Sequence, residues 1–198
     1  MSKVPEAVSD PTELEELDLP DNYLEELPTS INKLKNLMRL TSEVNQLREL
    51  PQAIAELSNL TVLSASFNQL SVLPSNIKHL KNLWRLYLSS NQLTALPDEI
   101  GELKELEWLN EKMETGDYSS KYRNQLTTLP DEIGELKKLN GLLVAGNPVT
   151  LEEMVQVMKI QKISSQTYET EVLFHLSCPS SQDSHENTDA SKENLNLD

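Results

Sequence analysis

The stretch Leu83-Trp84-Arg85-Leu86-Tyr87-Leu88-Ser89-Ser90-Asn91-Gln92-Leu93-Thr94-Ala95-Leu96-Pro97-Asp98-Glu99-Ile100 decides the fold of this 198-residue chain. It has leucine at its first, fourth, sixth and eleventh places, asparagine at its ninth, Leu-Pro at its fourteenth and isoleucine at its eighteenth. The same template opens at Leu37, Leu60 and Leu106, so its period is 23 residues. Self-similarity at such a period indicates a repeat array, in which each unit buries its apolar face on its neighbours.

Copies of the template extend over residues 14–149. The opening Leu-x-x-Leu-x-Leu of each copy alternates apolar and polar residues, as a short strand requires. Consecutive strands would lie side by side in a parallel sheet, about 4.8 Å apart. Leu-Pro then ends strand pairing, because proline has no backbone N–H. The sequence therefore predicts an α/β solenoid, with a parallel β-sheet on the concave face and short helical or irregular segments on the convex face.

Asparagine occupies the ninth place of every copy. An inward amide side chain supplies two donors and one acceptor to backbone groups that an apolar turn leaves unpaired. We therefore interpret this column as structural, and neither as catalytic nor as metal-binding. Its members are Asn22, Asn45, Asn68, Asn91, Asn124 and Asn147.

This pattern resembles the leucine-rich repeat family, and within it the 23-residue intracellular class related to Ras-binding and Ras-suppressor repeat proteins. The resemblance covers residues 14–149 and rests on six copies of the template. It implies that the asparagine column forms an asparagine ladder. It also implies signalling or scaffold work, around small GTPases or phosphatases.

The fifth copy departs from the template. Leu106 and Leu139 are 33 residues apart, ten more than the period, and the surplus falls within 111–123. Its polar composition indicates an exposed loop. The loop is either a contact element that uses Tyr118 and Tyr122 or a tolerated insertion. A smaller departure, Ser42 and Ala65 at sixth places, predicts that the second and third repeats are softer.

The two ends of the chain lack the template. Residues 1–13 are predicted to be a flexible leader that weakly caps the first repeat. Residues 150–163 begin with a helix-capping pattern, Thr150-Leu151-Glu152-Glu153, and predict a helix that caps the last repeat. Residues 164–198 are expected to be a mostly disordered acidic tail.

Charge and composition exclude several classes of function. With 17 Lys and Arg against 32 Asp and Glu, the net charge of −15 disfavours nucleic acid and membrane surfaces as partners. The three histidines are scattered, and Cys178 stands alone. We therefore predict no catalytic, cofactor-binding or metal-binding residues and no small-molecule substrate. A single cysteine and no visible secretory signal favour the cytoplasm, and we expect a monomer.

The template places several large side chains on the concave face of the middle repeats. Trp, Tyr and Arg at the centre of such a face have the composition of an interaction hot spot. We therefore predict a non-catalytic module or scaffold that binds a protein partner there. The alternatives are a regulatory subunit of an enzyme in a phosphatase or small-GTPase pathway, and a shortened fragment or isoform of a larger signalling protein. The predicted binding residues are Arg39, Val62, Phe67, Arg85, Tyr87 and Trp108, with Asn110 also expected to face outward.

Overall fold

A computed structural model describes residues 2–110, 124–144, 146–150 and 152. In this part of the chain, short parallel strands form one sheet, in the order in which they occur in the sequence. The predicted parallel sheet is thereby confirmed. The strands are β1 (Glu16–Asp18), β2 (Arg39–Thr41), β3 (Val62–Ser64), β4 (Arg85–Tyr87), β5 (Trp108–Leu109) and β6 (Gly141–Leu142).

The strands pair without any shift in register. Leu17 faces Leu40, which in turn faces Leu63, so equivalent residues of successive repeats are neighbours in space. These leucines point inward, and Leu40 and Leu63 are fully buried. The residues on either side of them point to the opposite face, as the alternation of a strand requires. The 23-residue period thus becomes a set of side-chain columns that run along the array.

A 3-10 helix follows the Leu-Pro pair of the template in each of the first five repeats. In the second repeat, the carbonyl of Pro51 accepts a hydrogen bond from the Ile54 N–H at 3.0 Å, and the carbonyl of Ile54 accepts one from Leu57 at 3.1 Å. Proline suits the start of the helix because its φ is fixed near the required value, here −63°. The isoleucine is fully buried. The five helices are Thr29–Lys33, Gln52–Glu56, Ser75–His79, Asp98–Glu102 and Asp131–Glu135.

Residues at the beginning of the chain lie against the first repeat. A short 3-10 helix spans Glu6–Ser9, Val4 is 7% exposed, and Val8 packs against the core. Lys3 forms a salt bridge with Glu26 at 2.8 Å. These contacts cover part of the first repeat. The predicted loop at 111–123, most of the predicted cap at 150–163 and the predicted tail at 164–198 lie outside the described residues.

The sixth-place substitutions do not interrupt the core. Ser42 and Ala65 are fully buried, as Leu88 is at the same place in the fourth repeat. The Ser42 hydroxyl donates to the carbonyl of Ser64 at 3.2 Å, so its polar atom has a partner. That these repeats are softer stays a prediction.

The expected outward position of Asn110 was wrong. This residue is 5% exposed and has a left-handed backbone, with φ of 59°. In earlier repeats the sixth-place N–H donates to a backbone carbonyl of the next strand, as Ala65 does to Tyr87 at 2.9 Å. Here the Leu88 N–H donates instead to the Asn110 side-chain oxygen at 2.6 Å. Because β5 ends one residue early, the amide side chain replaces the missing backbone acceptor.

Candidate functional site

The asparagine column holds the turns that carry part of the candidate site. Asn68 is typical: its Oδ1 accepts from the Leu47 N–H at 2.9 Å, and its Nδ2 donates to the carbonyls of Ser42 at 2.9 Å and Ala65 at 3.1 Å. The side chain therefore joins two repeats through buried backbone groups that would otherwise be unpaired. Equivalent bonds occur at Asn45, Asn91, Asn124 and Asn147. Asn22, at the first repeat, donates to the carbonyls of Leu19 and Pro20.

Wherever the structure describes it, the residue just before the column asparagine has a left-handed backbone. At the eighth place φ is 55° for Val44 and 56° for both Phe67 and Ser90. This conformation turns the chain out of the strand and aims the next residue into the core. It is unfavourable for β-branched and bulky residues. Phe67 nevertheless occupies such a turn, because the repeat geometry imposes it there as at Val44 and Ser90, and its side chain is only partly buried.

The third-place column forms a straight row across the concave face. Arg39 faces Val62, and Val62 faces Arg85, which in turn faces Trp108. Arg39 is exposed, whereas Arg85 and Trp108 are partly buried. Val62 is only 7% exposed. As a short side chain between two arginines it offers little surface to a partner, and its role as a contact residue stays a prediction.

Arg85 is held in place by stacking. Its guanidinium carbon lies 4.1 Å from the centre of the Trp84 ring. A cation over an indole face at this distance is stabilised by the ring quadrupole. Its Nε is buried and has no hydrogen-bond partner among the described residues. The stacking thus fixes the orientation of the side chain, and the buried Nε is not accessible to a partner.

Trp108 lies across the neighbouring strand. A Cβ atom added to Gly141 would fall 2.3 Å from Cε3 and 2.4 Å from Cζ3 of Trp108. The indole ring therefore rests directly on the glycine backbone. Only glycine leaves room for this arrangement, which orders the ring at the concave face. Gly141 lies in the same third-place column as Trp108, but the repeat template does not predict that the indole ring rests on it.

One end of the concave face is acidic. Glu16, Asp18 and Asp21 are exposed on the first repeat. The Thr41 hydroxyl donates to Asp18 at 2.5 Å, which fixes one of these carboxylates. The face therefore changes from anionic at the first repeat to aromatic and cationic around β4. Tyr87, on β4, is partly buried and completes the central group.

Other kinds of site find no support in the described part of the chain. It contains no group of three or more His, Cys, Asp or Glu side chains able to hold a metal ion. His79 is exposed at the end of a 3-10 helix. None of the helices in the same residues has the length and apolar composition needed to cross a membrane.

Comparison with known proteins agrees with the repeat geometry. The Leucine Rich Repeat family model matches residues 13–34, 59–80 and 82–103. The chain is a leucine-rich repeat protein. The finer assignment to the intracellular 23-residue class is not established by this match. No curated protein matches the chain.

Solved leucine-rich repeat structures are similar over most of this chain. A leucine-rich repeat protein of Leptospira interrogans is 38% identical, with a TM-score of 0.74, over 82% of this chain and 39% of its own length. An internalin of Listeria monocytogenes is 23% identical, with a TM-score of 0.67, over 80% of this chain and 42% of its own. The repeat ectodomain of an Arabidopsis thaliana membrane receptor kinase, solved in complex with CASPARIAN STRIP INTEGRITY FACTOR 2, is 34% identical, with a TM-score of 0.63, over 74% of this chain and 17% of its own. The chain thus spans less than half the length of each.

Proposed function

We propose that this leucine-rich repeat protein is a non-catalytic binding module or scaffold of intracellular signalling, located in the cytoplasm. Its partner is a protein that docks on the concave face. The main support is the register of β2 to β5, which brings Arg39, Arg85 and Trp108 into one row. Phe67 and Tyr87 extend this row into a central patch on adjacent repeats. Leucine-rich repeats generally mediate protein–protein interaction, so the fold and the patch favour the same class of function.

Preorganisation supports this assignment. Trp108 rests on Gly141, and Arg85 is stacked on Trp84 at 4.1 Å. Side chains that are already ordered lose less conformational entropy when a partner binds, so more of the contact energy appears as affinity.

The chemistry of the face restricts the partner. An apolar or aromatic side chain would fill the space over Trp108 and Tyr87, and a carboxylate would pair with Arg39 or Arg85. A basic neighbouring segment would meet the acidic first repeat. The plant receptor ectodomain, a similar array, was solved in complex with CASPARIAN STRIP INTEGRITY FACTOR 2. This is consistent with a partner-binding role for this chain.

A triple substitution tests the patch. Replacing Phe67, Tyr87 and Trp108 with Ala should abolish capture of the main cellular partner, because truncation of each central aromatic costs about 1–2 kcal/mol or more of binding free energy. Capture is measured by co-purification with the full chain, followed by mass spectrometry. Circular dichroism and thermal unfolding establish whether each variant is folded.

The matched control removes exposed apolar side chains that lie away from the central patch. Tyr23 and Val72, which are 67% and 57% exposed, lie outside the patch, and their Ala variant should keep the partner. A folded triple variant that still captures the same partner would reject the concave site. The same experiment addresses the regulatory-subunit alternative, since that role requires a stable enzyme among the captured proteins.

A further inference from the structure

A second row of side chains runs along the edge of the sheet where the strands begin. It consists of the second place of each repeat, and continuous backbone hydrogen bonds set its register. The Met38 N–H donates to the carbonyl of Glu15 at 2.7 Å, Thr61 to Met38 at 2.8 Å, Trp84 to Thr61 at 2.9 Å, and Glu107 to Trp84 at 2.9 Å. The order along this edge is therefore carboxylate, thioether, small hydroxyl, indole, carboxylate.

An open groove of about 540 Å³ follows this row. Met38 lies on it with 46% of its surface exposed, and Trp84 is half-buried. Thr61, between them, uses its hydroxyl to donate to the carbonyl of Met38 at 2.9 Å. The centre of the groove is thus a shallow apolar depression between a methionine and an indole. An adaptable methionine beside an aromatic ring suits the capture of an aliphatic side chain.

Carboxylates stand at both ends of the depression. Glu15 and Glu107 form no salt bridge with any residue of the described part. Glu105, also on the groove, is paired with Lys138 at 2.5 Å, so its charge is already matched. The two unmatched carboxylates lie four strand spacings apart, which is about 19 Å at 4.8 Å per step.

We infer that this groove binds a short extended peptide with a basic residue at each end and apolar side chains between them. Charge complementarity identifies the occupant, because the two unmatched carboxylates bracket an apolar centre on a protein of net charge −15. An extended chain advances about 3.4 Å per residue, so a separation of about 19 Å corresponds to basic residues about six positions apart. This surface adjoins the concave patch at Trp84, on which Arg85 stacks at 4.1 Å, and it uses neither Phe67 nor Trp108.

The experiment uses a designed probe and the full chain. The probe is a capped seven-residue peptide with lysine at its first and seventh places, leucine at its third and fifth, and serine elsewhere. Its binding is followed by fluorescence anisotropy at low ionic strength. Glu15→Gln with Glu107→Gln should weaken binding by about tenfold, as expected for two charge pairs at the protein surface. Met38→Ser should weaken it separately, through the apolar centre.

Two controls distinguish a built site from general attraction to an acidic protein. Glu25→Gln with Glu49→Gln removes the same charge from exposed positions outside the groove, and this variant should bind the probe as the unchanged protein does. An isomeric peptide with both lysines at one end should bind several-fold more weakly. Equal loss in the two double variants, equal binding of the two peptides, or no binding of the probe would each overturn the inference. None of these outcomes depends on the concave patch.

Discussion

At the residue scale, the left-handed turn at the eighth place is a source of backbone strain in the described repeats. Val44 has φ of 55° although its side chain is β-branched, and it is 46% exposed. Its backbone takes part in the array, because its N–H donates to the carbonyl of Ser66 at 3.1 Å. The repeat geometry therefore imposes this backbone strain. Because the Val44 side chain is exposed, its burial contributes little free energy to offset the strain.

Val44→Asn should therefore raise the free energy of unfolding by about 1 kcal/mol, since asparagine tolerates the left-handed region far better than valine. Urea denaturation followed by circular dichroism measures the change. The matched control is Val72→Asn, at a 57% exposed residue without a positive φ, which should alter stability by less than about 0.5 kcal/mol. Equal shifts in the two variants would show that backbone strain at Val44 is not the cause.

At the scale of the element, strand β5 shows how the array accommodates an interruption. It ends at Leu109, and Asn110 supplies a side-chain acceptor where other strands supply a carbonyl. The repeat resumes at Asn124, whose Nδ2 donates to the carbonyl of Leu88 at 2.9 Å and whose Oδ1 accepts from Leu93 at 3.0 Å. Asn110 before the insertion and Asn124 after it both form hydrogen bonds with the fourth repeat. The hydrogen-bond register of the array therefore continues across the insertion.

Asn110→Ala should destabilise the protein by about 2–4 kcal/mol, because it leaves the buried Leu88 N–H without its acceptor and places a Cβ-bearing residue in a left-handed turn. Asn110→Gly loses the same acceptor without the strain, so it should cost about 1 kcal/mol less. Thermal and urea unfolding measure both variants. A loss below about 0.5 kcal/mol in the alanine variant would contradict the assigned role of Asn110.

At the scale of the whole molecule, salt bridges join successive repeats. Lys35 pairs with Glu56 at 3.0 Å, and Lys81 pairs with Glu102 at 3.1 Å. The pKa of Glu56 is lowered first by the hydrogen bond from Asn32 and then by Lys35. The pKa of Glu102 is lowered first by the hydrogen bond from Lys81 and then by its charge. Both carboxylates are fully exposed, so salt screens these interactions.

The sign of the pH dependence follows from these lowered pKa values. A carboxylate with a lowered folded pKa stabilises the protein above its unfolded pKa, about 4.3 for glutamate, and this stability is lost as the pH falls through the folded pKa. Glu102→Gln should therefore be less stable than the unchanged protein at neutral pH and equally stable in strong acid. Chemical denaturation at several pH values measures this difference. The control Glu49→Gln, which removes a carboxylate without a described salt bridge, should differ little in stability from the unchanged protein at neutral pH. A difference for Glu102→Gln that stays constant with pH would contradict the assignment.

Much of the fold could be predicted from the sequence because the same spacing of leucine, asparagine and proline recurs from repeat to repeat. Leu83, Leu86 and Leu88 are buried as the alternation requires, and proline begins each 3-10 helix where the pattern ends a strand. The candidate site was less predictable. The template placed Arg85, Tyr87 and Trp108 in their repeats, but it could not reveal that Val62 is covered or that Asn110 turns inward.

The sequence by itself determined the period, the leucine columns, the asparagine positions and the order of the strands, since each follows from the spacing of residue types along one chain. Only the tertiary structure decided that Trp108 rests on Gly141, that Arg85 stacks on Trp84 and that Glu15 and Glu107 bracket an apolar groove. The reason is that the sheet brings together residues that are distant in sequence. Residues 23 or more places apart in sequence become neighbours about 4.8 Å apart in the sheet, and the sizes and charges of those neighbours decide which side chains stay accessible to a partner.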